Sequence, residues 1–245
     1  RGRVQDNATN TSLMPMFHLS LVPYANGIRS YQAFDRDVEQ FNRVAKPINP
    51  LYVACGNAQL DETRSKRYFG LVESLCLKIG TNKNNTELRA LLLQRAVAYS
   101  TLQNFDAAIA DLTTLLSIDS VSALAYWHRA VCQMAMSGFK ASNGADVKLQ
   151  EAGALSDLNR AIALQPQNAY LYYCRANLYH NQGNNDKAIA DYSSAIKLDT
   201  RFAEAYFNRG LSYVARGDRS QGVKDLSKAG ELGLYSAYNI IKKNS

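Results

Sequence analysis

The sequence predicts an all-α fold, a right-handed solenoid of helical hairpins, and three observations carry that expectation. Arginines followed by a small residue, Arg95, Arg129, Arg175 and Arg209, stand 34, 46 and 34 positions apart. A recurring interval of this size marks a chain built from stacked repeats. An aspartate follows each arginine at 16 positions (Asp111, Asp191, Asp225), except that Asp157 follows Arg129 at 28. The extra 12 equals the excess in the middle interval, so one insertion between the two helices of the second repeat explains both. Third, the stretches "QNFD", "QGNND" and "RGDRS" concentrate the Gly, Asn and Asp that end one helix and cap the next.

Taken in order, residues 1–60 read as an N-terminal extension, the remnant of a preceding domain in a larger parent. The chain starts at Arg1 rather than at a methionine, so a processed chain or a fragment is expected. Within the extension, "SLMPMFHLSLV" alternates in part between prolines, the pattern of a strand, and "YQAFDRDVEQFNRVAKP" reads as a short helix stopped by Pro47. Residues 61–245 form the repeat array. A helix over 61–80, capped at Asp61, packs on repeat one. Repeats follow over 89–122, 123–168, 169–202 and 203–234, and an amphipathic helix over 235–243 closes the array. In repeat two a helix from Asp146 to Leu164 is expected to exceed its counterparts by one to two turns. The stretch "SGFKASNG", broken by Gly138 and Gly144, is expected to project as a loop. That loop is either plain surface or a side wall, through Phe139 and Lys140, for a ligand near Trp127 and Tyr173.

Around the aspartates the chain reads "AAIADLTTLLSID", "GALSDLNRAIALQP", "KAIADYSSAIKLDT" and "QGVKDLSKAGELG". These resemble the tetratricopeptide repeat family over residues 86–235. Repeat three carries nearly the whole signature in Tyr172, Ala176, Tyr179, Ala188, Tyr192 and Ala195, with Thr200 where proline is usual. Repeat two has Tyr126, Ala130, Ala154, Leu158, Ala161 and Pro166; repeat one has Leu92, Ala96, Tyr99, Ala108 and Leu112; repeat four has Tyr206, Gly210, Tyr213, Gly222, Leu226 and Ala229. Separately, "RGRVQ" and "PMFHLSL" resemble large exported repeat proteins of Bacteroidetes bacteria, which implies a cell-envelope or periplasmic setting for a bacterial protein.

At about 100° per residue each arginine shares a sector with the aromatic before it and the tyrosine after it. A buried guanidinium needs a partner, and the aspartate at fixed spacing supplies one. The pairs Arg95–Asp111, Arg129–Asp157, Arg175–Asp191 and Arg209–Asp225 are therefore expected to bridge each hairpin, in preference to an anion-binding ladder. The opposite face of each first helix is the concave surface in the family. In repeats two to four it includes Trp127, His128, Tyr170, Tyr173, Asn177, His180, Asn181, Phe207 and Asn208. Aromatic contact area beside amides that can pair with a peptide backbone suggests a groove for a peptide or protein segment. The alternative is that some of these residues pack on neighbouring helices or on the N-terminal segment.

Other functions find little support. The net charge of +7 is spread along the 245 residues, and the concave positions hold no Lys or Arg, which speaks against a nucleic-acid groove. No apolar run reaches a membrane-spanning length. The four cysteines are widely spaced and form no C-x-x-C, so no zinc site or disulfide framework is expected. Three histidines without an acidic cluster suggest no metal, and no catalytic or cofactor-binding motif is present. The chain reads as a non-enzymatic scaffold with a protein or peptide partner and no cofactor. The second reading is a structural or regulatory segment of a larger bacterial envelope protein, packed on its own N-terminal domain.

Overall fold

The computed structural model describes Phe17–Ser20, Tyr52–Cys55 and residues 62–243 apart from 140–143. Among these, two short strands precede ten helices. Strand β1 (Phe17–Ser20) falls within the stretch expected to be a strand. It pairs antiparallel with β2 (Tyr52–Cys55) in the register Phe17 to Cys55 and Ser20 to Tyr52. The short helix read over "YQAFDRDVEQFNRVAKP" lies outside the described residues.

The helices are α1 (Glu62–Thr81), α2 (Asn85–Thr101), α3 (Phe105–Ile118), α4 (Ala123–Phe139) and α5 (Gly144–Leu164). They continue with α6 (Ala169–Asn181), α7 (Asn185–Leu198), α8 (Ala203–Arg216), α9 (Arg219–Glu231) and α10 (Ser236–Lys243). Four hairpins, α2–α3, α4–α5, α6–α7 and α8–α9, correspond to the four repeats. The chain divides into two compact units, and the division falls inside α6, between Cys174 and Arg175. In the first unit α1 to α5 pack consecutively, and β1 lies against α2 and α4. In the second, α7 to α10 pack consecutively.

The turns of repeats one, three and four follow from their residues. Gly183 and Gly217 adopt positive φ, which costs glycine nothing. Gln103 holds the equivalent place in repeat one with φ 62, where a side chain is strained. The next residue then caps the second helix. Asn104, Asn184 and Asp218 accept hydrogen bonds from the backbone N–H groups of Ala107, Lys187 and Gln221 at 3.3, 3.3 and 3.2 Å.

The insertion is taken up mainly as helix. α5 has 21 residues against 14 in α3 and α7. Its start lies two residues before Asp146. Gly138 sits inside α4 and does not break it, because a helical glycine is merely unfavourable while its backbone hydrogen bonds persist. Lys140, offered as a side wall with Phe139, lies outside the described residues.

Small residues set the closeness of each hairpin. Ala96 and Ala108 in repeat one, and Ala130 and Ala154 in repeat two, hold the small-residue positions of the signature, and all four are fully buried. In repeat four a Cβ on Gly222 would come within 2.5 Å of the Val214 side chain and 2.9 Å of the Gly210 carbonyl. Only glycine fits there without a shift. α10 completes this unit: Ala237 joins Phe207, Leu211, Leu226 and Ala229 in one core, with Ile240 and Ile241 packed against it.

Candidate functional site

The arginines form forks onto their aspartates. Arg95 donates through Nε and Nη2 to the two carboxylate oxygens of Asp111 at 2.8 and 2.7 Å. Arg129 meets Asp157 at 2.8 and 2.7 Å, Arg175 meets Asp191 at 2.7 and 2.8 Å, and Arg209 meets Asp225 at 2.6 and 2.9 Å. Two parallel charge-assisted bonds fix the plane of each guanidinium as well as its position. The hydrogen-bonded Asp111 holds the Arg95 guanidinium above its ordinary value, against the opposing pull of desolvation. Tyrosine rings flank the cations: Arg95 lies 5.8 Å from Tyr99, and Arg209 lies 5.6 Å from Tyr206.

A third bond from these arginines was not foreseen. Nη1 of Arg129 donates to Thr113 on the preceding hairpin at 3.0 Å, and Nη1 of Arg209 donates to Ser193 at 2.9 Å. In repeat one the same nitrogen reaches Cys76 Sγ on α1 at 3.3 Å. The signal was available in the sequence, since a threonine, asparagine or serine stands two positions after every repeat aspartate.

The residues read as an open groove occupy a different environment. Trp127, His128, Tyr173, Asn177, Phe207 and Asn208 are all buried, none more than 2% exposed. Tyr170 and His180 are half-buried, and Asn181 is exposed. The correction has a physical reason: these positions lie in the seam where one first helix meets the next. His128 Nε2 stands 3.2 Å from Ser100 Oγ, joining α4 to α2. Asn208 Nδ2 donates to Asn177 Oδ1 at 3.0 Å, and Tyr192 donates to the same oxygen at 2.5 Å, joining α6, α7 and α8. Trp127 hydrogen-bonds toward the Cys174 sulfur, which also lies 4.0 Å from Met134 Sδ. Burial pushes the Cys132 and Cys174 thiols up to about 12, so both are inert packing groups at neutral pH. His180 Nδ1 meets Ser212 at 2.8 Å, and burial holds this imidazole below its ordinary value.

On the faces of α2 and α4 that were read as concave, the accessible positions lie in the C-terminal half of each helix. Ser100 and Thr101 on α2, and Val131, Met134 and Ala135 on α4, are half-buried, while the middle of each face is covered. A helical wheel gives the direction of these side chains but not what lies there. Among the described residues no group of three or more His, Cys, Asp or Glu side chains could hold a metal ion, and no helix is long and apolar enough to cross a membrane.

Models of the tetratricopeptide repeat match residues 90–121 and 158–190, and a further TPR repeat model matches 176–217. No curated protein sequence matches the chain significantly. Among solved structures, a crystal structure of MamA is 26% identical, covers 74% of this chain and 99% of its own, and superposes with a TM-score of 0.59. TTC0263, a thermophilic TPR protein of Thermus thermophilus, is 21% identical over 70% of this chain and 84% of its own, with a TM-score of 0.57. MamA from Desulfovibrio magneticus RS-1 is 19% identical over 71% and 97%, with a TM-score of 0.51. At those identities the last two bear on fold alone. Four ion-paired hairpins of one design, the three repeat matches and these neighbours make the chain a member of the tetratricopeptide repeat family.

Proposed function

We propose that this protein is a non-catalytic scaffold that holds another polypeptide against the first-helix face of repeats one and two, formed by α2 and α4. The observation that carries the reading is β1: an extended segment from outside the repeats lies against those two helices. A face that accepts one extended strand has the shape and chemistry for another. Its accessible rim, Ser100, Thr101, Val131, Met134 and Ala135, combines hydroxyls with adaptable apolar groups and carries no charge. That composition suits a polypeptide better than a phosphate backbone, which needs cations to neutralise it.

Photo-cross-linking in the native cell tests this. A cross-linker placed at Met134 or Thr101 is expected to capture one defined protein, whereas one at the exposed Leu149 on α5 is not. Equal capture from all three positions, or none from Met134 and Thr101, overturns the assignment of this face.

A further inference from the structure

One register position distinguishes repeat one from the others. The residue just before the repeat arginine meets the preceding first helix in repeats two, three and four: His128 meets Ser100, Cys174 meets Met134 and Asn208 meets Asn177. In repeat one that residue is Gln94. It is completely buried, and both its amide nitrogen and its amide oxygen lack a hydrogen-bond partner. The helix before α2 is α1, and α1 behaves as a second helix: it offers Cys76 to the Arg95 guanidinium as α3 offers Thr113 to Arg129. No first helix precedes α1 among the described residues. What lies against α2 instead is β1.

We propose that the β1–β2 pair lies beside α2 as a preceding first helix lies beside each later one, and is an exchangeable occupant of the α2–α4 face. This rests on the scaffold reading above and adds its regulation. Two strands of four residues form a marginal sheet by themselves, so the place of the pair depends on the helices beneath it. The fit is incomplete, because a buried amide with both bonds unmade carries the full desolvation cost of a donor and an acceptor. An extended polypeptide that presents a main-chain N–H and C=O to Gln94 makes the two bonds that the resident leaves unmade. The resident therefore excludes weak ligands and yields to one whose backbone registers on Gln94.

The test uses the full chain and a fluorescent peptide of sequence PMFHLSLVP, residues 15–23. Replacing His18 and Leu19 together by proline removes a ladder donor whichever of the two faces β2. The proline variant is expected to bind the peptide at least tenfold more tightly than the wild type, with an unchanged far-UV helix signal. Equal binding by both, or binding by neither with helix retained, overturns the proposal. Gln94→Leu gives an independent arm, since it removes the orphan amide without removing a bond. Amide exchange in β1 and β2 is expected to slow severalfold in that variant, and unchanged or faster exchange counts against the inference. The Met134 cross-link separates the two readings. Equal partner yield in wild type and proline variant leaves the scaffold standing without its guard, whereas loss from both removes the scaffold reading itself.

Discussion

Two seams run through this molecule, and they are built by opposite rules. Within each hairpin the seam is constant: an arginine fork, an aspartate and a pair of small residues recur with bond lengths of 2.6 to 2.9 Å in all four repeats. Between first helices the seam differs each time, with histidine and serine, then indole and two sulfurs, then an amide pair. The constant seam defines the architecture. The variable one gives each junction its own polarity, and in repeat one leaves an amide unmatched.

Breaking the constant seam has the largest expected effect. Asp225→Ala leaves the Arg209 guanidinium without its fork at a site where the two side chains are 17% and 11% exposed. Loss of about 3 kcal/mol in denaturant unfolding is expected. A double-mutant cycle with Arg209→Ala is expected to show a coupling of about 1 kcal/mol or more, and additivity contradicts the pairing. In the variable seam, Asn177→Ala removes the acceptor shared by Tyr192 and Asn208. It is expected to cost about 2 kcal/mol, again by denaturant unfolding.

Ser193→Ala removes the bond from Arg209 to the neighbouring hairpin along with the hydroxyl's own bond to the Ile189 carbonyl, and about 1 kcal/mol is expected in the same measurement. The smallest effect is a pH slope. Burial keeps His180 below its ordinary value of 6.5, so between the two values the unfolded chain binds more protons than the folded one. The histidine's contribution is whole above 6.5 and declines as pH falls below it toward the lowered folded value. Tm measured from about pH 7.5 down to 5.5 is expected to drop more steeply in the wild type than in His180→Gln.

The constant seam was legible in the sequence because repetition exposes it: Arg95 and Asp111 recur as the same pair at one spacing in two further repeats. The hydroxyls at Thr113 and Ser193 were equally visible, yet nothing in one sequence says that a third guanidinium nitrogen needs a partner. The variable seam was read as a groove with packing on neighbouring helices as the alternative, and its buried positions follow the alternative. Periodicity put Trp127, Tyr173 and Phe207 on the correct side of their helices, but burial depends on how closely adjacent first helices approach, which no single helix encodes. β2 was overlooked although "LYVAC" stands between Pro50 and Gly56, a short β-branched and aromatic run bounded by turn residues.

The third bond of the repeat arginine has a consequence for how the array comes apart. In linear arrays, stability divides into a part belonging to each unit and a part belonging to each junction. Arg129 and Arg209 hold both parts in one side chain, closing their own hairpin and fastening it to the hydroxyl of the one before. Losing such a residue weakens a unit and its link simultaneously. The melting curve then splits into separate steps, because blocks on either side of the lesion no longer share a common fate. Losing only the hydroxyl partner loosens the link while the unit stays whole, and the transition broadens without splitting.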